Sequence, residues 1–140
     1  MIVYSKCSQK ALVFILLIVS ACAIRTPQAM QEQEPDYQYI GKSDNFSAVT
    51  ECIFKKVDSY PVTFQLFDHE DRTIPVQMRQ FPNDAELYQE SSGGMIISLI
   101  KLEKLSGNEI QAKLYTGYSS TNGRVRDNYP ELITSCFAAS

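Results

Sequence analysis

Two cysteines, each set against a helical stripe at opposite ends of a run of strands, constrain this chain more than any other feature. Across residues 44–58, Phe46, Val49, Ile53 and Val57 recur at helical spacing, with Asp44 as the expected N-cap and Cys52 beside the stripe. Near the other end, Tyr129, Leu132, Ile133, Cys136 and Phe137 fit the same period. Asn128 is the expected cap there, and Pro130 falls in the first turn, where a missing N–H costs nothing. Between them the period changes to two. "VTFQLF" (62–67) and "TIPVQMRQF" (73–81) alternate, the second with Ile74, Val76 and Met78 on one face. "ELYQES" (86–91) reads as a short strand, and "GMIISLIKLEK" (94–104) is apolar on both faces, as befits the centre of a sheet. "EIQAKLYTGY" (109–118) turns Ile110, Ala112 and Leu114 inward and Lys113 and Tyr115 outward. Pro75 cannot donate to a ladder, so its strand belongs at an edge or a bulge.

Both helices must bury a stripe, and the sheet offers one apolar face. Placing them together on that face also brings Cys52 to Cys136, so topology and a disulfide support one another. The predicted fold is α+β: a four- or five-stranded antiparallel sheet with an N-terminal and a C-terminal helix on one face, joined by that disulfide. The other face, with Thr63, Gln65, Gln77, Arg79, Lys113 and Tyr115, is expected to meet water.

The disulfide requires an oxidising compartment, and the first residues supply the route. Residues 1–10 carry Lys6 and Lys10 and no acid; "ALVFILLIV" (11–19) is apolar, and Ser20 and Ala21 are small. This order describes a secretory signal, and its apolar run is too short to span a bilayer, which takes about 20 residues. "VSAC" (19–22) then resembles the lipobox of bacterial lipoproteins. That resemblance implies a diacylglyceryl group on the Cys22 sulfur, cleavage before Cys22, acylation of its new amine with palmitate or a similar chain, and durable anchoring. It covers the processing site alone and implies nothing about the domain. "ACA" (21–23) offers the rival site, with cleavage after Ala23 and release of a soluble protein. Ala23 is not the Asp that often retains such lipoproteins in the inner membrane, which points to the outer membrane and its periplasmic side.

The domain boundaries follow: residues 1–21 as signal peptide, 22–43 as lipidated cysteine and flexible tether, 44–140 as one α+β domain. The tether reading rests on "TPQAMQEQEPDYQY", rich in Gln and Glu with little to bury. Cys7 leaves with the leader and Cys22 takes lipid, leaving Cys52 and Cys136 as an even pair. Losing the leader removes two lysines and no acid, moving the net charge from −3 to −5. An acidic domain of this kind is not a nucleic-acid binder, which needs a basic stripe.

No motif for catalysis stands out. His69, the only histidine, sits in the polar turn "DHEDR", and one histidine supplies too few nitrogen ligands for a typical zinc site. There is no G-x-S-x-G elbow, and "SSGG" (91–94) is too short for a phosphate loop. The expectation is therefore no catalytic residue, no cofactor and no metal. Tyrosine and arginine are enriched at protein interfaces, so the candidate binding residues are Arg79, Lys113, Tyr115, Tyr118, Arg124 and Arg126, on the polar sheet face and the loop 119–127. The predicted function is a non-enzymatic, protein-binding lipoprotein on the periplasmic face of the outer membrane. In architecture it is similar to immunity proteins that neutralise toxins or envelope hydrolases. The rivals are an accessory subunit of an envelope, secretion or conjugation machine, a soluble secreted protein, and an enzyme whose acid pair the sequence does not display.

Overall fold

The computed structural model describes residues 26–60, 63–64, 72–91, 93–117 and 122–138, with the backbone alone at 63–64, 72–73 and 122–123. Its elements are α1 (Pro27–Gln31), β1 (Tyr37–Lys42), α2 (Phe46–Asp58), β2 (Thr63–Phe64), β3 (Arg72–Thr73), β4 (Val76–Gln80), β5 (Asp84–Glu90), β6 (Ile96–Lys104), β7 (Glu109–Thr116) and α3 (Asn122–Ala138). Five strands form an antiparallel sheet in the order β1-β7-β6-β5-β4. The doubly apolar β6 lies at its centre, and β4, preceded by Pro75, lies at an edge.

Both long helices pack on the first face of this sheet. Phe46, Val49, Ile53 and Val57 from α2 meet Val125, Tyr129, Ile133 and Phe137 from α3 over Leu87, Ile100, Leu102, Ile110, Ala112 and Leu114. Cys52 and Cys136 are bonded across the two helices, with their Cα atoms 5.8 Å apart and 84 positions apart in sequence. The Phe137 ring packs against Gly41 and meets Tyr39 at 5.2 Å between ring centroids. A Cβ at position 41 would collide with that ring, so only glycine fits there. Gly107 serves differently: its φ of 71° closes the β6–β7 turn in a conformation that L side chains rarely adopt.

A polar knot is sunk in the same core. The Gln89 side chain, buried on β5, accepts hydrogen bonds from the Tyr129 hydroxyl (2.6 Å) and the Ser98 hydroxyl (2.8 Å) and donates to the Ile74 carbonyl (2.9 Å). Among the described residues no buried side-chain polar atom lacks a partner. Burial pushes the Tyr129 phenol well above its ordinary value, an effect that its hydrogen bond with Ser98 only partly offsets.

Several expectations need correction. Residues 27–42, assigned to the tether, are built into the fold. Tyr37, Tyr39 and Gly41 face the helices while Gln38, Ile40 and Lys42 face away, and this alternation makes β1 an edge strand on β7. Of the expected strand 62–67, the described part, Thr63–Phe64, lies outside the main sheet and pairs with Arg72–Thr73. The turn with His69 lies outside the described residues. Asn45, not Asp44, caps α2, accepting from the Ala48 N–H at 3.0 Å. Asn128 does not start the last helix. Val125, fully buried, extends the apolar stripe one turn earlier, so α3 begins at Asn122 and Pro130 lies inside it. The proline removes one helical bond, and it does so next to the exposed residues 126–128. Met78, on the edge strand β4, is 40% exposed, although α2 reaches the neighbouring Val76 and Gln80 through Asp58 and Ser47.

Candidate functional site

The second sheet face is the candidate site, and it divides into a covered part and an open part. α1 covers the first. Thr26 caps α1 by accepting from the Ala29 N–H at 3.2 Å, and Pro27 occupies its first turn. One turn later Met30 is 1% exposed, seated among Tyr88, Ile96, Leu99 and Tyr115. Gln31 beside it donates to Glu86 at 2.7 Å and accepts from Lys101 at 2.9 Å. A second fastening follows at Asp36, whose carboxylate accepts from both the N–H (2.7 Å) and the hydroxyl (2.8 Å) of Thr116. The expectation that this whole face meets water is therefore wrong. Tyr115 lies beneath Met30, and Leu99 and Tyr88 beside it form a small second core.

Next to α1 the face is charged and paired. Glu103 takes Lys101 on one oxygen and Lys113 on the other, each at 3.1 Å. Burial raises the Glu103 carboxyl, but hydrogen bonds from the two lysines and their charges prevail and hold it below the ordinary carboxylate range. Lys113 is thus committed to an ion pair.

The open part runs along β4. The Arg79 guanidinium sits 5.1 Å over the centroid of the Tyr88 ring, and the Tyr88 hydroxyl donates to Gln77 at 3.0 Å. Phe81, two residues beyond Arg79, is 54% exposed. It borders a shallow cleft of about 520 Å³, closed on the far side by Glu103, Lys104 and Leu105. Here a cation, an aromatic face and exposed apolar area occur together on an edge strand. Such a combination suits contact with a protein surface.

The six residues read from the sequence do not converge. Arg79 and Lys113 share the second face, but two strands and the Gln31 bridge lie between them. Tyr115 is buried. Arg124 and Arg126 are exposed on α3, which packs on the opposite face, and Arg126 lies 3.9 Å from Asp127. Tyr118 lies outside the described residues, as does Cys22. Met30, Gln31, Glu86 and Lys101 were missed by the sequence reading. The signal was present in "TPQAM", because Thr followed by Pro is a helix start.

Among the described residues no group of His, Cys, Asp and Glu is placed to hold a metal ion. No helix among them is long and apolar enough to cross a membrane. No protein-family profile matches the chain, and no curated protein matches it.

Proposed function

We propose that this chain is a non-enzymatic lipoprotein of the bacterial envelope. It is held through acylated Cys22 on the periplasmic side of the outer membrane, and it binds and neutralises a protein, as an immunity protein does a toxin or an envelope hydrolase. The observation that supports binding is the patch on β4: Arg79 over Tyr88, with the exposed Phe81 beside it. Interface hot spots are enriched in such tyrosine and arginine pairs. The net charge of −5 once the leader is gone favours encounter with a cationic partner. Anchoring is supported by the lipobox-like "VSAC" directly after the apolar run.

The test is capture from envelope extract with wild type, Arg79→Glu and Arg124→Glu. Arg79→Glu should lose the partner and Arg124→Glu should keep it. An unchanged partner with Arg79→Glu would remove the patch from consideration. Anchoring is tested separately by palmitate labelling of wild type against Cys22→Ser; equal label in both would leave the soluble, exported form.

A further inference from the structure

The residues after Cys22, read from sequence as a spacer, are fastened to the domain at two points of unequal kind. β1 is held by a six-residue ladder on β7, reinforced where Asp36 grips Thr116. α1 is held chiefly by one apolar side chain, Met30, and one amide, Gln31. The exposed residues 32–34 join the two. The hold on α1 is therefore the weaker of the two.

That asymmetry matters because of where the lipid would sit. Four residue steps separate Cys22 from Thr26, a reach of at most about 14 Å. Fourteen steps separate Cys22 from Asp36, which Thr116 holds, a reach of about 48 Å. We infer that residues 26–35 form a releasable strap that sets how far from its anchor the domain works. Docked through Met30 and Gln31, the strap keeps the domain at the membrane surface. Released, it becomes the long leash that the sequence composition describes. This inference rests on the anchoring at Cys22 proposed above.

The test installs the lipid chemically. In the chain from Cys22 onward, with Cys52 and Cys136 paired, Cys22 carries the one free thiol, and it couples to a maleimide lipid in vesicles. The chain has no tryptophan, so Leu105→Trp supplies a single donor for energy transfer to a dansyl lipid. Wild-type and Met30→Asp straps are compared, each with and without a Gly-Ser insert, as long as the strap, between Arg25 and Thr26. With the strap docked, the insert should lower transfer several-fold. Met30→Asp should lower it without any insert, and adding the insert to Met30→Asp should change it much less. Equal loss from the insert in both backgrounds, or no effect of Met30→Asp, would overturn the strap. If Met30→Asp fails to fold, Gln31→Ala combined with Glu86→Ala weakens the dock from its polar side and should give the same pattern. Failure of Cys22 to take palmitate in cells would sink the anchoring proposal and leave this result standing; equal response to the insert would sink the strap and leave anchoring untouched.

Discussion

The two faces of the sheet are covered by different physical means. On the first face two long helices bring continuous stripes, a large apolar core, a buried polar knot and a disulfide. On the second, a five-residue helix brings one methionine and one glutamine, and ion pairs do the rest. A perturbation on the first face has nowhere to go except global unfolding. On the second face the strap can lift off, so the cost of any damage there is capped by the free energy of docking. Local opening of this kind occurs where few apolar contacts hold a segment.

The largest test of that contrast is the disulfide. Opening it with Cys52→Ala and Cys136→Ala releases an 84-position loop, and the chain-entropy model assigns such a loop about 4.5 kcal/mol. Urea unfolding should show a loss of that order in a single cooperative transition. A loss under about 1 kcal/mol would mean that the helices hold the face without help, against the usual 2–5 kcal/mol for small exported domains.

Gln89→Leu comes next. It strands the Ile74 carbonyl inside the core and leaves the hydroxyls of Ser98 and Tyr129 with only each other to bond. At about 1–3 kcal/mol for each buried group left unpaired, with some relaxation, a loss of about 3 kcal/mol is expected by the same measurement. Tyr129→Phe removes one donor and leaves Gln89 accepting from Ser98, so it should cost about 1 kcal/mol. Alkali probes the same knot. The Tyr129 phenol is raised in the folded chain, so its contribution is fully present below the ordinary tyrosine value of about 10 and is lost as pH rises toward the folded value. Spectroscopic titration should therefore find a tyrosine that ionises only as the protein unfolds.

Met30→Ala marks the boundary between the faces. A fully buried methionine in a core costs about 2–5 kcal/mol when cut to alanine. If the strap lifts off instead, the loss should stop at about 1–2 kcal/mol. Hydrogen exchange should then speed up at residues 26–31 and stay slow in β6 and β7. A loss matching that of Ile133→Ala, whose side chain is fully buried on the first face, would show that α1 belongs to the core.

The same contrast explains what was legible in the sequence. Both long helices announce themselves by stripes of four or five apolar residues, and the doubly apolar 95–100 identifies the central strand. The disulfide followed from the even pair left once Cys7 and Cys22 are assigned, and it agreed with those placements. The strap was hidden because a segment that contributes a single buried side chain has no period to read. "PQAMQ" is as polar as a linker, and its burial depends on a hollow made by Tyr88, Leu99 and Tyr115 from three different strands. Tyr115 was placed in water for the same reason: alternation assigns a residue to a face and says nothing of what covers that face. The binding residues scattered because residue type alone does not distinguish Arg79, stacked on an edge strand, from Arg124 on the far side of the sheet.

The smallest effect concerns the charged part of the second face. The lysines outweigh burial and hold the Glu103 carboxyl below its ordinary range. A carboxyl lowered in the folded state stabilises the fold above its unfolded value and loses that contribution as pH falls through its folded value. The contribution should therefore be complete at neutral pH and fade in acid below the ordinary Glu value of about 4.3. Glu103 is one-third exposed, and solvent screening keeps partly exposed pairs to about 1 kcal/mol or less. Lys101 also donates to Gln31, so protonating Glu103 leaves that lysine without its carboxylate but still on the strap. Acid should accordingly loosen the second face before the first: exchange at residues 26–31 should rise as pH falls, with the far more stable helices unaffected. Glu103→Gln should weaken that pH dependence and loosen the strap at neutral pH, with Glu86 still accepting from Gln31. If acid instead loosens both faces together in Glu103→Gln and wild type alike, the ion pairs play no separate part in seating the strap.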